Sequence, residues 1–579
     1  MLQPTEEQRP VIHEKTGLFT VKACPGSGKT FTVAARLQRV LENWPHRNQG
    51  IAALSFTNVA HAEIAGYLRT EFHRATIGYP HFLGTIDSFT NQYVFLPFGH
   101  YAMRTQARPR LCGAPHNDIE PIGNWMYWGE HECQRHQCKL NDFTYDIRGH
   151  VIRLGHAAMG HNCPVTRRPC VTQKQAFNRQ GYATQNDANY FALEVLRKYP
   201  AVAAALVRRF PVMMIDEAQD TSSIQMAMAN LLITAGLQEL MLVGDPDQAI
   251  YEWRNAEPAV FLEKCNAYHE NSTTFGENWR SSQRICNCAT QLARHSQAMR
   301  AVNPMVSDCP IPPEVIGYDG AATIRQHVAG FVQRCNALGL TESMIHVLVR
   351  SKSLLNVIAP GTIAPDIDPW DPGFHLTPAL AQAKYLHENG KLTEALRLLE
   401  RALHRMRYPN SPFAINRLYD TPAGLTERAG LVELLEVLPQ TKDLLLGTWV
   451  VETGAALSRM DNPFHGAALR IKRRSQKCDY PRLSFAELFA APRPTQDGFS
   501  LQTVHGAKGQ SLDAVLVVLK SKAGNSRRYI NLFDLPAAEH EELRIVYVAI
   551  TRAKRILTLL VPTPDAQTWR GHLLSERHD

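Results

Sequence analysis

Three clusters of residues in this chain carry chemistry. The first is Gly26-Ser27-Gly28-Lys29-Thr30, which follows an apolar run from Leu18 to Val21 and opens a helical pattern with Val33, Ala34, Leu37 and Val40 on one side. Strand, glycine turn and helix, in that order, let backbone N–H groups close on a phosphate chain. The helix N-terminus adds the positive end of its dipole. Lys29 can then reach the β- and γ-phosphates, and the Thr30 hydroxyl can ligate Mg2+. The strict pattern has Gly where this chain has Ala23. The second cluster, Asp216-Glu217-Ala218-Gln219-Asp220, ends the apolar strand Val212 to Ile215. Paired carboxylates delivered there suit nucleotide chemistry: Asp216 holds Mg2+ through water and Glu217 polarises an attacking water. The third, Gly244-Asp245-Pro246-Asp247-Gln248, ends the strand Leu240 to Val243 and puts Gln248 where a γ-phosphate could be sensed. Tyr251, Trp253 and Arg254 come directly after, and aromatics beside an Arg make a stacking platform for bases. A core position for Trp253 is the alternative.

The elements that position these clusters read as α/β. Gln8 precedes the first strand and can read an adenine edge; a solvated Gln at a helix start is the alternative. Ile51 to Phe56 reads as a strand running into Phe56-Thr57-Asn58 and a helix from Ala60 to Leu68, and Gly84-Thr85 opens another small polar loop. A second α/β unit follows Asn278-Trp279-Arg280-Ser281, with strands expected at His346–Val349, Leu501–Val504, Val515–Leu519 and Ile556–Val561. Arg552, in Thr551-Arg552-Ala553-Lys554, follows a helix and precedes a strand, the placement of an arginine finger. Two stretches interrupt the pattern. Between about Tyr93 and Asn186 strand signals fade, and His131, Cys133, His136, Cys138, His161, Cys163 and Cys170 appear at spacings that fit no familiar zinc finger. Between Leu355 and about Ala491 the chain reads as helical, with a hairpin from Pro378 to Met406 turning at Gly390.

With 579 residues, several domains are expected. A hydrophobic content of 44% with 20% charged residues describes a globular protein and excludes a disordered one. The net charge of +8 permits a nucleic-acid partner without requiring one. The polar, acidic start of the chain is no signal peptide, and no apolar run approaches the ~20 residues that span a bilayer. A cytoplasmic location without a membrane partner is the expectation, with the cysteines as thiols.

Taken in order, these stretches resemble the UvrD/Rep-type superfamily 1 DNA helicases. Ala23-x-x-Gly26-Ser27-Gly28-Lys29-Thr30 is that family's form of the phosphate loop, and Phe56-Thr57-Asn58, Gly84-Thr85, Asp216 to Thr221, Gly244 to Gln248, Asn278 to Ser281, His505 to Gly509 and Val548 to Ala553 match its successive motifs. The resemblance implies two RecA-like P-loop motor domains with parallel sheets flanked by helices, each carrying a mainly helical insertion. Motor domain 1A is then 1–92 with 187–279, insertion 1B is 93–186, domain 2A is 280–354 with 492–579, and insertion 2B is 355–491. It implies ATP and Mg2+ as cofactors and 3′-to-5′ movement on single-stranded or partly duplex DNA. Lys29, Asp216, Glu217, Gln248, Arg280 and Arg552 would be catalytic. Gln8, Ala23, Pro25 and Gly26 to Thr30 would bind nucleotide together with Arg36, Trp279, Arg280 and Arg552. Phe56, Asn58, Thr85, Tyr251, Trp253 and His505 would meet DNA.

Two departures stand out: Gln510-Ser511 replaces the family's Leu-Glu, and the paired Arg before the last motif is reduced to Leu543-Arg544. Compactness, Gly84-Thr85-x-Asp87 running to Pro97-Phe98, and Ala256-Glu257-Pro258 are also similar to the helicase-like subunit of Gabija phage-defence systems. That similarity implies a partner nuclease and a DNA-sensing ATPase that unwinds little by itself.

Overall fold

A computed structural model describes residues 3–74, 76–112, 143–153, 168–251, 257–295, 298–359, 368–371, 373–407, 422–442, 444–459, 461–474, 479–489, 495–496, 498–523, 527–533 and 541–574. Contacts divide the chain into two compact units, one built from 1–110, 141–358 and 494–579, the other mainly from 359–493.

The larger unit holds two six-stranded sheets. In the first, β1 (Leu18–Ala23), β2 (Ile51–Ser55), β3 (Phe82–Thr85), β4 (Val212–Ile215), β5 (Glu239–Gly244) and β6 (Thr273–Phe275) lie in the order β6-β1-β5-β4-β2-β3. All neighbours run parallel, with Val21 beside Val243, Ile215 beside Leu242, and Ser55 beside Thr85. Parallel strands are covered on both faces, which is why β2 and β4 are buried at every residue and read as unbroken apolar runs. The parallel arrangement has a direct consequence for chemistry. All six strands end on the same edge, so the turns after Ala23, Ser55, Thr85, Ile215, Gly244 and Phe275 are gathered there.

Helices pack against this sheet: α1 (Lys29–Glu42) and α2 (Asn58–Thr70) follow β1 and β2. The Thr57 hydroxyl caps α2 by accepting from Ala60 N at 3.2 Å. From Ile86 the chain stays helical through a π-helical turn, Asn91–Phe95, to Met103. The helix therefore does not break at residue 93, where the composition changes. Phe89 and Tyr93 instead pack edge-on against Phe210 beside β4, so the early part of that stretch is core of the first sheet. α3 (Gln185–Lys198) starts with a capping box between Thr184 and Asp187.

The second sheet joins β7 (Glu314–Tyr318), β8 (Ile345–Val349), β9 (Thr495–Gln496), β10 (Phe499–Thr503), β11 (Leu512–Val518) and β12 (Ala553–Pro562) in the order β7-β12-β11-β8-β10-β9. Only the β9–β10 pair is antiparallel. Its core includes Val515, Val517 and Leu559 with Tyr547 and Ile550 from the helix Glu541–Ile550.

The smaller unit is helical. Its helices Leu376–Glu388, Leu392–Arg407, Pro422–Val437 and Leu446–Arg459 bury Leu380, Leu399, Leu434 and Trp449 with Phe464 and Phe485. The hairpin expected around Gly390 is present, and Gly390 takes the left-handed φ of +75° that the turn requires. His131, Cys133, His136, Cys138, His161 and Cys163, and the side chain of Cys170, lie outside the described residues. Among the described residues no group of three His, Cys, Asp or Glu is placed to hold a metal. None of the described helices is long and apolar enough to cross a membrane.

Candidate functional site

A cleft of about 620 Å³ opens where the ends of the first-sheet strands meet residues of the second sheet. One wall is the loop after β1, which turns through Gly26 and Gly28 at φ +72° and +78° before α1 begins at Lys29. The left-handed turn is required at both positions. A Cβ on Gly26 would lie 2.8 Å from Arg280 Cβ, and one on Gly28 would lie 2.7 Å from Gln8 Nε2. Gly26 to Thr30, Gln8, Glu217, Gln248, Trp279, Arg280 and Arg552 all line the cleft. Trp279 stands 43% exposed at its mouth, and Lys29 is buried in its floor.

The acidic group lies at the end of β4. Asp216 is fully buried; its Oδ1 accepts from Glu217 N at 2.9 Å, while Oδ2 has no partner among the described residues. Burial, reinforced by the Glu217 charge, pushes its pKa up, and the Thr30 hydroxyl acts on the same carboxyl. Burial also works against the Glu217 carboxylate, but Lys29, Lys508, the Gln219 amide and Arg552 outweigh it and hold its pKa below the usual range. Glu217 adopts φ +55°, an uncommon conformation for a side-chain-bearing residue, which turns its carboxylate into the cleft. An orphaned carboxylate oxygen beside a Thr hydroxyl at a phosphate loop fits Mg2+, which takes oxygen ligands and keeps several waters.

A continuous set of hydrogen bonds leads away from Glu217. Gln219 donates to it, and Gln219 Oε1 accepts from Asp245 N at 2.9 Å. Asp245 accepts from Gln248 Nε2 at 2.6 Å, and Gln248 Oε1 accepts from Arg552 Nη2 at 3.0 Å. Burial, with Arg280 nearby, lowers the Arg552 pKa to about 9. Burial likewise raises Asp245 and Asp220 to about 6, although Lys508 Nζ donates to Asp220 at 2.6 Å. The same ammonium lies 4.5 Å over the Tyr251 ring. Tyr251 in turn contacts Phe56 at 5.5 Å and His505 at 6.2 Å between ring centroids. Three of the residues expected to meet DNA thus form one half-buried aromatic face, joined through Lys508 to the acidic group.

Other expected residues are placed differently. Arg36 is outside the cleft. Its guanidinium is buried against Glu239 at 2.7 Å, donates to Val11 O and Lys15 O, and stacks on Phe19. It fastens α1 to β5 and does not line the cleft. Ala23 and Pro25 do not line the cleft either. Ala23 is the last residue of β1, and Pro25 O accepts from Asn278 Nδ2 at 2.8 Å. Gln8 reaches the cleft with its amide already engaged, donating to Ser27 O at 2.8 Å and accepting from Thr5 N at 3.1 Å. Thr85 caps the helix that follows it, accepting from Ser88 N at 3.1 Å, and Asn58 is exposed at the start of α2. Trp253 lies outside the described residues.

Several residues in the site went unassigned in the sequence. Asn278 is buried; it donates to Pro25 O and accepts from Arg280 N and Ser281 N, both at 2.8 Å, while Trp279 N donates to Gly26 O at 2.9 Å. The segment carrying Arg280 is therefore tied to the phosphate loop. It is equally tied to the second sheet, where Arg280 Nε donates to Ser511 Oγ at 2.7 Å and Ser281 Oγ to Ala553 O at 2.6 Å. Glu63 and Tyr67 line the cleft from α2. Their spacing of four along a helix was a readable signal that they share a face. Burial, then the charge of Glu217, raises the pKa of Glu63.

A glycine loop, a strand-end acidic pair, Arg280 on the segment that leaves the first sheet and Arg552 from the second have the arrangement of a P-loop nucleotide site between two RecA-like halves. Comparison with known proteins agrees. Residues 4–107 and 170–269 match the UvrD/REP helicase N-terminal domain, and 492–562 match the UvrD-like helicase C-terminal domain. Over those residues the chain carries a UvrD-like helicase N-terminal domain and a UvrD-like helicase C-terminal domain. It is similar to an ATP-dependent helicase/nuclease subunit of Lactococcus lactis subsp. cremoris (strain SK11), at 29% identity over 31% of this chain and 18% of that protein. It is similar to the exonuclease/helicase subunit RexA of Lactococcus lactis subsp. cremoris (strain MG1363), at 35% identity over 19% of this chain and 9% of that one. An ATP-dependent helicase/nuclease subunit of Streptococcus sanguinis (strain SK36) is 39% identical over 16% of this chain and 8% of its own length. The matched part spans less than a fifth of each of these relatives.

Proposed function

We propose that this chain is an ATP-driven motor that moves 3′-to-5′ on single-stranded DNA. The observation that carries this reading is the bonded path from Glu217 through Gln219, Asp245 and Gln248 to Arg552, with Lys508 extending it to the Phe56–Tyr251–His505 face. In this reading Lys29 and the loop N–H groups hold the ATP phosphates, and Trp279 stacks on the base. Thr30 and Asp216 hold Mg2+, which when bound neutralises phosphate charge. Glu217, kept ionised by its cationic neighbours, takes a proton from water. The water oxygen bonds to the γ-phosphorus, and the β–γ bridging oxygen leaves with ADP. Arg280 and Arg552 stabilise the charge of that transfer. Loss of the phosphate frees both arginines, the halves separate, and the aromatic face changes its grip on the strand.

A second reading is a DNA-sensing ATPase that licenses a partner nuclease and unwinds little, as a Gabija-like defence subunit would. It is favoured by Ser511, which receives Arg280 where the family carries an acid. The test is ATP hydrolysis with and without single-stranded DNA, with strand separation followed on the same samples. DNA-stimulated hydrolysis with unwinding supports the motor. Stimulated hydrolysis without unwinding supports the sensor, and hydrolysis indifferent to DNA overturns both.

A further inference from the structure

The structure assigns a second nucleic-acid contact to this chain, and we propose that His100, Tyr101 and Tyr199 form a stacking platform for unpaired DNA bases outside the Phe56–Tyr251–His505 face. The proposal rests on the DNA-binding reading above. Tyr101 is 54% exposed and Tyr199 40% exposed, yet their rings lie 5.4 Å apart at a tilt of 48°, and the His100 ring lies 4.0 Å from Tyr101. Exposed aromatic rings gathered this way give up little conformational freedom on accepting a planar base, and every base offers a π-face.

Charge complementarity selects the occupant. The two segments that carry the platform, 91–112 and 195–211, contain seven Arg or Lys residues and no Asp or Glu. Elsewhere the chain is nearly balanced, 62 basic residues against 54 acidic in all. Arg104 and Arg108 are exposed just after Tyr101, and Arg197 and Lys198 just before Tyr199. The nearest acid in sequence, Glu194, pairs with both Arg197 and Lys198 at 3.1 and 2.7 Å, while Arg104 and Arg108 form no ion pair among the described residues. Aromatic faces set among cations match a flexible anionic strand with exposed bases. A protein partner would ordinarily find acids as well as bases at such a rim.

Position supports the same occupant. Tyr101 lies in the last turn of the helical run that starts at Ile86, directly after Thr85. Sixteen residue steps of helix separate the two, about 24 Å at the helical rise. A strand engaged by the Thr85 loop can therefore reach the platform only if it continues well beyond that loop.

The experiment compares binding of two single-stranded oligo-dT probes, about 8 and about 24 nucleotides long, to the wild-type chain and to the variant carrying Tyr101→Ala with Tyr199→Ala. Both residues are on the surface and outside the nucleotide cleft, so DNA-independent ATPase activity serves as the check on folding. We expect the double variant to bind the long probe about 5- to 100-fold more weakly, with short-probe affinity unchanged. Tyr101→Phe with Tyr199→Phe, which keeps both faces, should retain wild-type affinity. Arg104→Gln with Arg108→Gln should flatten the salt dependence for the long probe alone. Unchanged long-probe affinity in the alanine variant overturns the proposal, and so does an equal loss on both probes. Unchanged DNA affinity together with loss of a co-purifying protein also overturns it and assigns the patch to protein docking. A wild-type chain that binds neither probe would instead remove the DNA-binding reading on which the proposal rests.

Discussion

In the first sheet the chain leaves β1 through a turn with two left-handed glycines, and α1 begins with Lys29 and Thr30 facing the cleft. In the second sheet the chain leaves β7 through Asp319 and Gly320, and Gly320 enters the helix Ala321–Ala337 in extended backbone, with no side-chain cap and no Lys-Thr behind it. Strand, turn and helix are the same; what the turn can do is not. Two closely spaced reversals of φ aim N–H groups inward, whereas an extended entry aims none. The second half contributes from elsewhere, through Arg552 just before β12, Ser511 just before β11, and the Thr551 carbonyl that accepts from Arg280 at 3.1 Å. A parallel sheet with flanking helices therefore does not by itself make a phosphate site. In the mechanism proposed above, one half grips and the other completes the grip, so activity should depend on the two being together.

The largest effect should come from the gripping half. Lys29→Ala removes the cation beneath the phosphates, and turnover should fall by about 10³-fold or more with nucleotide affinity also reduced. Near-normal ATPase in that variant would break the division of labour. Arg552→Ala tests the completing half. Its expected cost is also about 10³-fold in kcat, but with nucleotide binding largely kept, because Gly26 to Thr30 remain. A variant that lost binding and turnover together would show that the second half grips as well.

The two turns can be compared directly with one methyl group each. Gly28→Ala forces a side chain into φ +78° and against Gln8, a strain of about 1–2 kcal/mol, so turnover should fall about tenfold. At Gly320 the backbone is extended and an added Cβ meets nothing within 4 Å, so Gly320→Ala should leave both turnover and melting temperature unchanged. Equal effects at both positions would mean that the second turn also carries a function.

The gripping half was also the more legible one. Its residues come in short runs at the ends of apolar strands, so Gly26 to Thr30, Asp216, Glu217 and Gln248 could be singled out from local pattern, and Val212–Ile215 was bounded correctly because a strand buried on both faces has no polar positions to blur it. Arg36 was expected at the nucleotide from the resemblance alone; its facing was not legible because Glu239, which holds it, lies 203 residues away. Asn278 escaped notice for the related reason that its partners are backbone carbonyls and N–H groups, which carry no residue identity. The continuity of the helix past residue 93 was hidden by composition: the His-, Arg- and Cys-rich stretch that follows it drew the expected boundary back into the helix, although Phe89, Val94 and Phe95 are buried there.

The smallest predicted effect separates grip from stability at a single carboxyl. Asp216 is buried with one oxygen unpartnered among the described residues, and burial together with Glu217 raises its pKa. A carboxyl with a raised pKa in the folded state binds its proton more tightly than in the unfolded chain. Its contribution to stability is therefore fully present below the ordinary carboxylate range and is lost as pH rises through the raised value. Asp216→Asn removes that penalty while keeping the shape. In the absence of nucleotide and Mg2+, the variant should melt about 2 °C or more above the wild type at pH 8, and the gain should shrink toward pH 5 as the wild-type carboxyl takes up its proton. ATPase should fall in the same variant, because an amide is a poor replacement for the carboxylate that would hold Mg2+ in the proposed mechanism. A gain independent of pH would mean that the ionised form is not strained in the empty site. A loss of stability at pH 8 would mean that the buried charge is balanced by Lys29 well enough to hold the acidic turn together, and the gripping half would then owe part of its fold to the same charge it uses for chemistry.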